Sequence, residues 1–197
     1  MNGSFRAAVI GCSAGGLDAL RLLLGRLPAD LQLSIVIVVH AAPGSGGVLA
    51  GLLGQVCRLP VAEAVEKAPV MTGRVHVAPA GYHLLVERDE TFSLSVDDKV
   101  CNVRPSIDVL FQSAADTWGP ALVGILLTGA NSDGTEGLRS IKGQGGRCVV
   151  QDPDTAFADT MPRSALSAGV ADRALPLDKI ADYLLTLPGA MPVRSGP

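Results

Sequence analysis

Three polar residues of this sequence carry side chains that together could activate a hydroxyl group for nucleophilic attack. Ser13, His40 and Asp133 each follow the end of an apolar run with the composition of a buried strand. A serine hydroxyl becomes a good nucleophile when an imidazole takes its proton, and the imidazole needs a carboxylate to fix its tautomer and orientation. The three residue types therefore indicate a serine hydrolase, on condition that the fold brings them together.

Each of these residues also has a purely structural interpretation. Ser13 could cap the helix that follows it, His40 could be a hydrogen-bonded residue at a strand end, and Asp133 could be the N-cap of a helix beginning near residue 135. The order Ser, His, Asp also differs from the order Ser, Asp or Glu, His of the α/β-hydrolases. The triad would then be an independent arrangement of the same roles.

Other residues with nucleophilic or ligating side chains are predicted to be structural. Cys12 is a rival nucleophile beside Ser13, but alternation along the strand predicts that its thiol points into the core. His76 and His83 do not lie at a strand-to-helix crossover. The four cysteines are widely spaced, without a C-x-x-C pair or a histidine at metal-finger spacing, so neither a zinc site nor a disulfide framework is predicted. We expect no metal and no cofactor.

The turn that carries Ser13 is rich in glycine and leads from a strand into a helix. Such a turn exposes the N–H groups of the new helix, which attract anions. Gly11, Gly15 and Gly16 have the spacing G-x-x-x-G-G, which matches neither the dinucleotide fingerprint nor the P-loop. Nucleotide binding stays open as an alternative, disfavoured by this spacing.

The elements that must position these residues are strands and helices in alternation. Apolar runs predict buried strands, and apolar residues at helical spacing predict helices. The predicted strands cover residues 7–11, 34–40, 61–65, 75–79, 121–127, 147–151 and 174–175. The predicted helices cover residues 17–27, 48–56, 107–118, 135–144, 161–168 and 177–187. A loop is predicted over 41–47, and the helix from 107 has Ser106 as its predicted cap and Asp108 near its N-terminal dipole.

This alternation predicts an α/β fold with a doubly wound, mostly parallel sheet. Residues 83–87 and 91–96 add an antiparallel β-hairpin near one edge of that sheet. Ligands of doubly wound sheets bind beyond the carboxyl ends of the strands, where Ser13, His40 and Asp133 are predicted to lie. We expect a single domain over residues 1–190 and a C-terminal tail over 191–197.

Composition excludes several classes of partner. The net charge is -3 and the basic residues are scattered, so nucleic acid is not expected. The apolar runs stop far short of the ~20 residues that span a bilayer, and the first residues lack the features of a signal peptide. Membrane insertion is therefore not expected, and the predicted compartment is the cytoplasm.

Several separate segments carry a further signal: residues 10–16, 39–43, 77–83, 104–111, 127–134 and 161–162. Together, and in this order, they closely resemble the catalytic domain of the chemotaxis protein-glutamate methylesterases, the CheB family. The resemblance implies that Ser13 is the nucleophile, His40 its general base and Asp133 the orienting acid. It also implies that backbone N–H groups near Ala14 and Ala130 hold the oxyanion.

By the same resemblance, the reaction is hydrolysis of γ-glutamyl methyl esters on the cytoplasmic helices of chemoreceptors, with deamidation of particular receptor glutamines as a further activity. The family usually has Thr at the position of Ala14 and Met at that of Ala130, and both changes trim the pocket walls. They motivate an alternative, a catalytically weak or inactive binding module of the same fold that docks on a receptor or a signalling partner.

The sequence pattern of the catalytic domain begins within the first dozen residues, so the family's receiver domain is not matched. We therefore expect no control by phosphorylation within the same chain. Three possibilities stay open: a separate receiver-domain protein regulates this one, the activity is constitutive, or the chain is part of a longer product.

Overall fold

The computed structural model describes residues 3–40 and 47–192 and is built around a parallel sheet. Among these residues the strands of the sheet are β1 (Ala7–Cys12), β2 (Ser34–Val39), β3 (Val61–Glu63), β4 (Val75–Val77), β7 (Leu122–Leu126), β8 (Arg147–Gln151) and β9 (Arg173–Leu175). Their order is β3-β4-β2-β1-β7-β8-β9, and every described pair is parallel. The predicted doubly wound α/β fold is confirmed.

Helices cover both faces of this sheet, which explains why its central strands are apolar throughout. The helices are α1 (Gly16–Leu24), α2 (Val48–Gly54), α3 (Ile107–Trp118), α4 (Thr135–Gly143), α5 (Thr160–Ser167) and α6 (Leu177–Thr186). The buried side chains of α1 and α6 pack against the face of β1 to which Ile10 and Cys12 point. The buried side chains of α3 and α4 pack against the opposite face, to which Val9 points. Successive side chains of a strand alternate in this way.

Two glycines, one in β1 and one in α4, allow helix α3 to pack closely against both elements. A Cβ on Gly11 of β1 would lie 2.3 Å from Cγ2 of Ile107, the first residue of α3. A Cβ on Gly137 of α4 would lie 2.4 Å from Cβ of Phe111. The missing side chains therefore let the N-terminal halves of α3 and α4 approach the carboxyl edge of the sheet and each other.

The predicted hairpin forms, but it does not extend the edge of the main sheet. Its strands, β5 (His83–Val86) and β6 (Phe92–Ser95), are an antiparallel pair in a two-stranded sheet of their own. The hairpin is attached to α3, because Val86 N donates to Ser113 Oγ at 3.2 Å and Thr117 Oγ1 donates to Val86 O at 3.2 Å. Its apolar side chains join the core that α3 buries.

Some sequence predictions fall outside the residues described here. They are most of the loop predicted over 41–47, at residues 41–46, and the end of the predicted tail, at residues 193–197. The assignment of residues 1–190 to a single domain stays a prediction. Within residues 3–40 and 47–192, none of the helices has both the length and the apolar character needed to cross a membrane.

Candidate active site

The three candidate catalytic residues follow three neighbouring strands at the same edge of the sheet. Strand β1 lies between β2 and β7, and all three run in the same direction. The backbone beyond them is directly bonded: His40 N donates to Cys12 O at 3.1 Å, and Ser13 N donates to Thr128 O at 2.9 Å. The fold therefore brings the serine, the histidine and the loop that carries Asp133 to one place.

Ser13 lies in a turn that leaves the start of the next helix without a side-chain cap. The N-cap of α1 is Gly15, with the left-handed φ of 77°, and no side chain caps the helix. A role as helix cap therefore does not account for Ser13. The neighbouring thiol of Cys12 is buried on the α1 side, where a Cβ on Gly16 would lie 2.5 Å from its Sγ. Burial raises the pKa of Cys12 to about 12, so it is a core residue, as predicted.

His40 and Asp133 form a buried hydrogen-bonded pair. His40 Nε2 donates to Asp133 Oδ2 at 2.7 Å, and the two side chains are only 8% and 0% exposed. This bond fixes the proton on Nε2 and leaves Nδ1 unprotonated in the neutral ring. Nδ1 is also buried and has no hydrogen-bond partner within the part of the chain that the structure describes. It is therefore the nitrogen that can accept a proton.

Asp133 is held by donors from the beginning of α3. Its Oδ1 accepts from Ser106 Oγ at 2.8 Å and from Asp108 N at 3.1 Å, and its Oδ2 also accepts from Ile107 N at 2.7 Å. Burial alone would raise the pKa of Asp133, but the hydrogen bonds from His40 and from these groups outweigh it and keep the pKa below its usual value. The carboxylate is thus ionised and fixed in orientation.

The interpretation of Asp133 as the cap of its own helix is wrong. The N-cap of α4 is Gly134, without a side-chain cap, and the carboxylate of Asp133 reaches across to the N-terminus of α3 instead. Ser106 is the N-cap of α3, as predicted, since Val109 N donates to its Oγ at 3.5 Å. Its donation to Asp133 could not be foreseen from the capping pattern, because that pattern involves only residues close in sequence.

Asp108 is a second buried carboxylate in this network, and sequence reasoning missed it. Asp108 lies in the first turn of α3, as predicted, and its Oδ1 also accepts from Gly134 N at 2.9 Å and Gly137 N at 2.7 Å, at the start of α4. Burial and the neighbouring Asp133 carboxylate raise the pKa of Asp108 to about 6, although the bond from Gly137 opposes this. The two helices therefore exchange capping carboxylates.

The two remaining histidines make structural contacts. His76 Nε2 accepts from Met71 N at 3.1 Å, and burial lowers the pKa of His76 to about 4. His83 Nδ1 accepts from Ser106 N at 3.2 Å, while its Nε2 donates to Asp98 O at 3.0 Å. His83 thereby joins the hairpin to the residue that caps α3.

Thr128 joins the two segments that carry the candidate oxyanion residues. Its Oγ1 donates to Ala14 O at 2.8 Å and accepts from Ala158 N at 2.9 Å. Gly129 N, which precedes Ala130, also donates to Ala158 O at 2.9 Å. These bonds place the turn after Ser13 beside the loop that contains Ala130. Whether the N–H groups of Ala14 and Ala130 bind an oxyanion stays a prediction.

A cavity of about 340 Å³ opens beside His40. Its lining residues are His40, Gly81, Lys99, Asn102, Val103, Arg104 and Pro105. A larger cavity, of about 510 Å³, lies at the opposite edge of the sheet, at the amino ends of the strands. It is lined by Gly3, Phe5, Pro120, Ala121, Gly145, Arg147, Arg173, Tyr183, Thr186, Leu187 and Pro188. The smaller cavity is the candidate substrate site, because it borders the histidine.

One group of side chains has the composition of a metal site. The ligand atoms of Cys101, Asp108 and Asp133 all lie within 4.8 Å of one another. However, the carboxylates of Asp108 and Asp133 already accept hydrogen bonds from backbone N–H groups at the two helix starts. Helix N-termini stabilise such carboxylates without a cation, so the donor set is explained by capping.

Comparison with known proteins assigns the chain and its fold to one family. The family model described as CheB methylesterase matches residues 8–184. A putative protein-glutamate methylesterase/protein-glutamine glutaminase of Leptospira interrogans is 47% identical over 184 residues, covering 93% of this chain and 95% of the relative. The protein-glutamate methylesterase/protein-glutamine glutaminase of Symbiobacterium thermophilum is 39% identical over 91% of this chain, which spans only 49% of that relative.

A solved structure agrees with the sequence comparisons. The crystal structure of the Thermotoga maritima CheB methylesterase catalytic domain superposes with a TM-score of 0.89 at 34% identity, covering 93% of this chain and 98% of that one. The agreement therefore extends over the sheet and the helices of nearly the whole chain. On sequence and fold together, this chain belongs to the CheB methylesterase family.

Proposed function

We propose that this chain is a serine hydrolase that removes methyl groups from γ-glutamyl methyl esters on the cytoplasmic helices of bacterial chemoreceptors, and that it deamidates receptor glutamines at the same site. Family membership and the activities for which the relatives are named support the reaction class. The observation that carries the proposal is the His40 ring, with Nε2 on the Asp133 carboxylate at 2.7 Å and a buried Nδ1 left without a partner among the described residues.

In the proposed mechanism, Ser13 Oγ attacks the ester carbonyl while His40 Nδ1 takes the hydroxyl proton. The Asp133 carboxylate keeps the other ring proton on Nε2 and stabilises the imidazolium that forms. His40 then gives its proton to the departing methoxide, so methanol leaves and a glutamyl ester of Ser13 remains. Water, activated by His40, hydrolyses this acyl-enzyme to glutamate. With a glutamine substrate the leaving group is ammonia.

We assign stabilisation of the tetrahedral intermediate to the N–H groups of Ala14 and Ala130. A main-chain donor is independent of the side chain at the same residue, so the two alanines are compatible with this role. The bond from Thr128 Oγ1 to Ala14 O, at 2.8 Å, supports it because it holds the two donor segments in a fixed relation. The cavity beside His40 would take the glutamyl side chain of the receptor helix.

The proposal is tested by following methanol release from a methylated receptor with the Ser13→Ala variant. We expect a loss of about 10³-fold or more in kcat, because only binding and the oxyanion donors would remain. Cys12→Ala is the matched control, since it removes the adjacent nucleophile while leaving the proposed one. A folded Ser13→Ala protein with unchanged activity, or a Cys12→Ala protein without activity, would contradict the mechanism.

Labelling with a fluorophosphonate ester separates this proposal from an inactive binding module of the same fold. An activated Ser13 reacts with the reagent, and the Ser13→Ala variant does not. Failure of the unmodified protein to become labelled, together with retained binding to the receptor, would favour the binding module.

A further inference from the structure

Asp108 and Asp133 hold the starts of two facing helices in a reciprocal arrangement. The carboxylate of Asp133, just before α4, accepts from the first two N–H groups of α3, those of Ile107 and Asp108. The carboxylate of Asp108, in the first turn of α3, accepts from Gly134 N, the N-cap of α4, and from Gly137 N in its first turn. Each helix dipole therefore stabilises a carboxylate that belongs to the other helix.

This exchange joins Asp108 to Asp133 at two points. Asp108 N donates a hydrogen bond to the Asp133 carboxylate at 3.1 Å. The Asp108 carboxylate accepts one at 2.9 Å from Gly134 N, the backbone N–H directly after Asp133. Gly134 has a φ of 98°, and a Cβ there would lie 2.5 Å from Leu126 Cδ1. The backbone that follows Asp133 is thus confined to a conformation that glycine tolerates, with Asp108 as a direct hydrogen-bond acceptor for it.

We propose that Asp108 is a positioning residue, which holds Asp133 where its Oδ2 faces His40 Nε2. The consequence for turnover rests on the proposed hydrolase function, whereas the effect on the His40–Asp133 pair does not. Loss of the Asp108 carboxylate frees two N–H groups of α4 and loosens the backbone at Gly134. Because Asp133 is the residue before Gly134, the loosening moves the carboxylate that orients His40.

A role limited to helix capping would have a different outcome. Loss of a cap lowers stability without a specific effect on a distant hydrogen bond. Displacement of Asp133, in contrast, lowers the population of the His40 orientation in which Nδ1 is free to take the serine proton. A shift of about 1 Å in a catalytic group can reduce the rate roughly 100-fold. The expected signature is a loss in kcat with little change in KM.

The test uses Asp108→Ala and Asp108→Asn in the full chain. Asparagine keeps a side-chain oxygen that can accept from Gly134 N and Gly137 N, and alanine has none. We expect Asp108→Ala to lower kcat about 10- to 100-fold at nearly constant KM for methylated receptor, and Asp108→Asn to stay within about fivefold of the unmodified protein.

Asp172→Ala is the matched control for the loss of a carboxylate that accepts a backbone N–H. Asp172 Oδ2 accepts from Cys148 N at 2.8 Å, near the amino end of β8. We expect this variant to lose stability with an unchanged kcat. An unchanged kcat in folded Asp108→Ala would overturn the proposal, and so would a loss above about tenfold in folded Asp108→Asn.

A second measurement needs no substrate and so separates this proposal from the proposed function. The His40 Nε2 proton, in a short bond to a buried carboxylate, gives a strongly downfield resonance in proton NMR. We expect the resonance to persist in Asp108→Asn and Asp172→Ala and to shift upfield or broaden in Asp108→Ala. An unaltered resonance in folded Asp108→Ala overturns the proposal. If Asp108→Ala does not fold, the resonance and kcat of Asp108→Asn decide, since loss of either overturns it.

Discussion

The two edges of the parallel sheet, where the strands begin and where they end, differ in their buried polar groups, and this difference does not follow cavity size. The larger cavity, of about 510 Å³, lies at the amino edge, and the smaller one, of about 340 Å³, borders His40 at the carboxyl edge. Yet the carboxyl edge holds the fully buried Asp133, whose two oxygens accept four hydrogen bonds. The convergence of buried, mutually bonded polar groups, and not cavity volume, therefore marks the carboxyl edge as the candidate active site.

The direction of the helices explains this difference. In a doubly wound fold, the helix after each strand begins at the carboxyl edge, so unpaired N–H groups collect there and hold carboxylates. At the amino edge the helices end, and their carbonyl groups favour cations. Basic side chains line both cavities, Arg147 and Arg173 at the amino edge and Lys99 and Arg104 at the carboxyl edge, so the buried carboxylates and not the cations distinguish the two edges. A buried carboxylate is therefore stabilised best at the carboxyl edge, where the helices begin.

The largest effect that this comparison predicts is on activity, in the variant Asp133→Asn. An amide at this position cannot accept from His40 and all the α3 donors at once, so the histidine loses its tautomer and orientation. We expect kcat for the methyl ester to fall about 10³- to 10⁴-fold, as in serine hydrolases with the same change. The control is Asp172→Asn at the amino edge, for which we expect an unchanged kcat. Equal losses in the two variants would contradict the distinction between the edges.

A smaller effect, on stability, is expected where α4 meets α3. In Gly137→Ala the new Cβ would lie 2.4 Å from Phe111 Cβ and 3.2 Å from Asp108 Cα, a backbone atom, so the helices must separate. We expect a loss of about 2 to 3 kcal/mol in the free energy of unfolding, measured by denaturant titration. Gly143→Ala in the same helix meets nothing within 4 Å and should gain a few tenths of a kcal/mol. A neutral Gly137→Ala would mean that the helices need no close contact.

The position of the three candidate residues could be predicted from the sequence because each depends on a local pattern. Ser13, His40 and Asp133 all follow apolar runs, and parallel topology carries such positions to one edge. The partners of Asp133 could not be predicted in the same way. Capping patterns describe a helix and its own neighbours, whereas Asp133 caps a helix that begins 26 residues earlier, at Ile107. Only the packing of α3 on α4 brings these groups together.

The hairpin illustrates the same limit. Its strands and turn are encoded locally, so the antiparallel pair over β5 and β6 was predictable. Its place in the molecule depends on Ser113 and Thr117, which lie on the far side of a long loop and bond Val86 from helix α3. No local pattern distinguishes a hairpin added to the sheet from one packed on a helix.

A pH dependence of stability is expected from Asp108 at the carboxyl edge. The native pKa is raised to about 6 from the value of 3.8 taken for the unfolded chain, so the native state binds the proton more tightly. This contribution to stability is present below pH 3.8 and is lost as the pH rises through 6. Relative to Asp108→Asn, the unmodified protein should lose about 2 kcal/mol between those limits, after allowance for solvent screening. Denaturant titrations of both proteins at several pH values measure the difference, and a constant difference would contradict it.

The smallest effect is expected for substitutions in the larger cavity, and it is the most direct challenge to the comparison. Arg147 and Arg173 line that cavity with exposed side chains, and the Arg173 guanidinium lies 5.7 Å from the Tyr183 ring centroid. Because the proposed chemistry is at the opposite edge, Arg147→Ser with Arg173→Ser should leave kcat/KM for methylated receptor within about twofold and stability within about 1 kcal/mol. The matched variant is Lys99→Ser in the cavity beside His40, for which we expect a several-fold rise in KM. If instead the double variant raises KM and Lys99→Ser does not, the receptor contacts the amino edge, and volume would after all have indicated where the substrate binds.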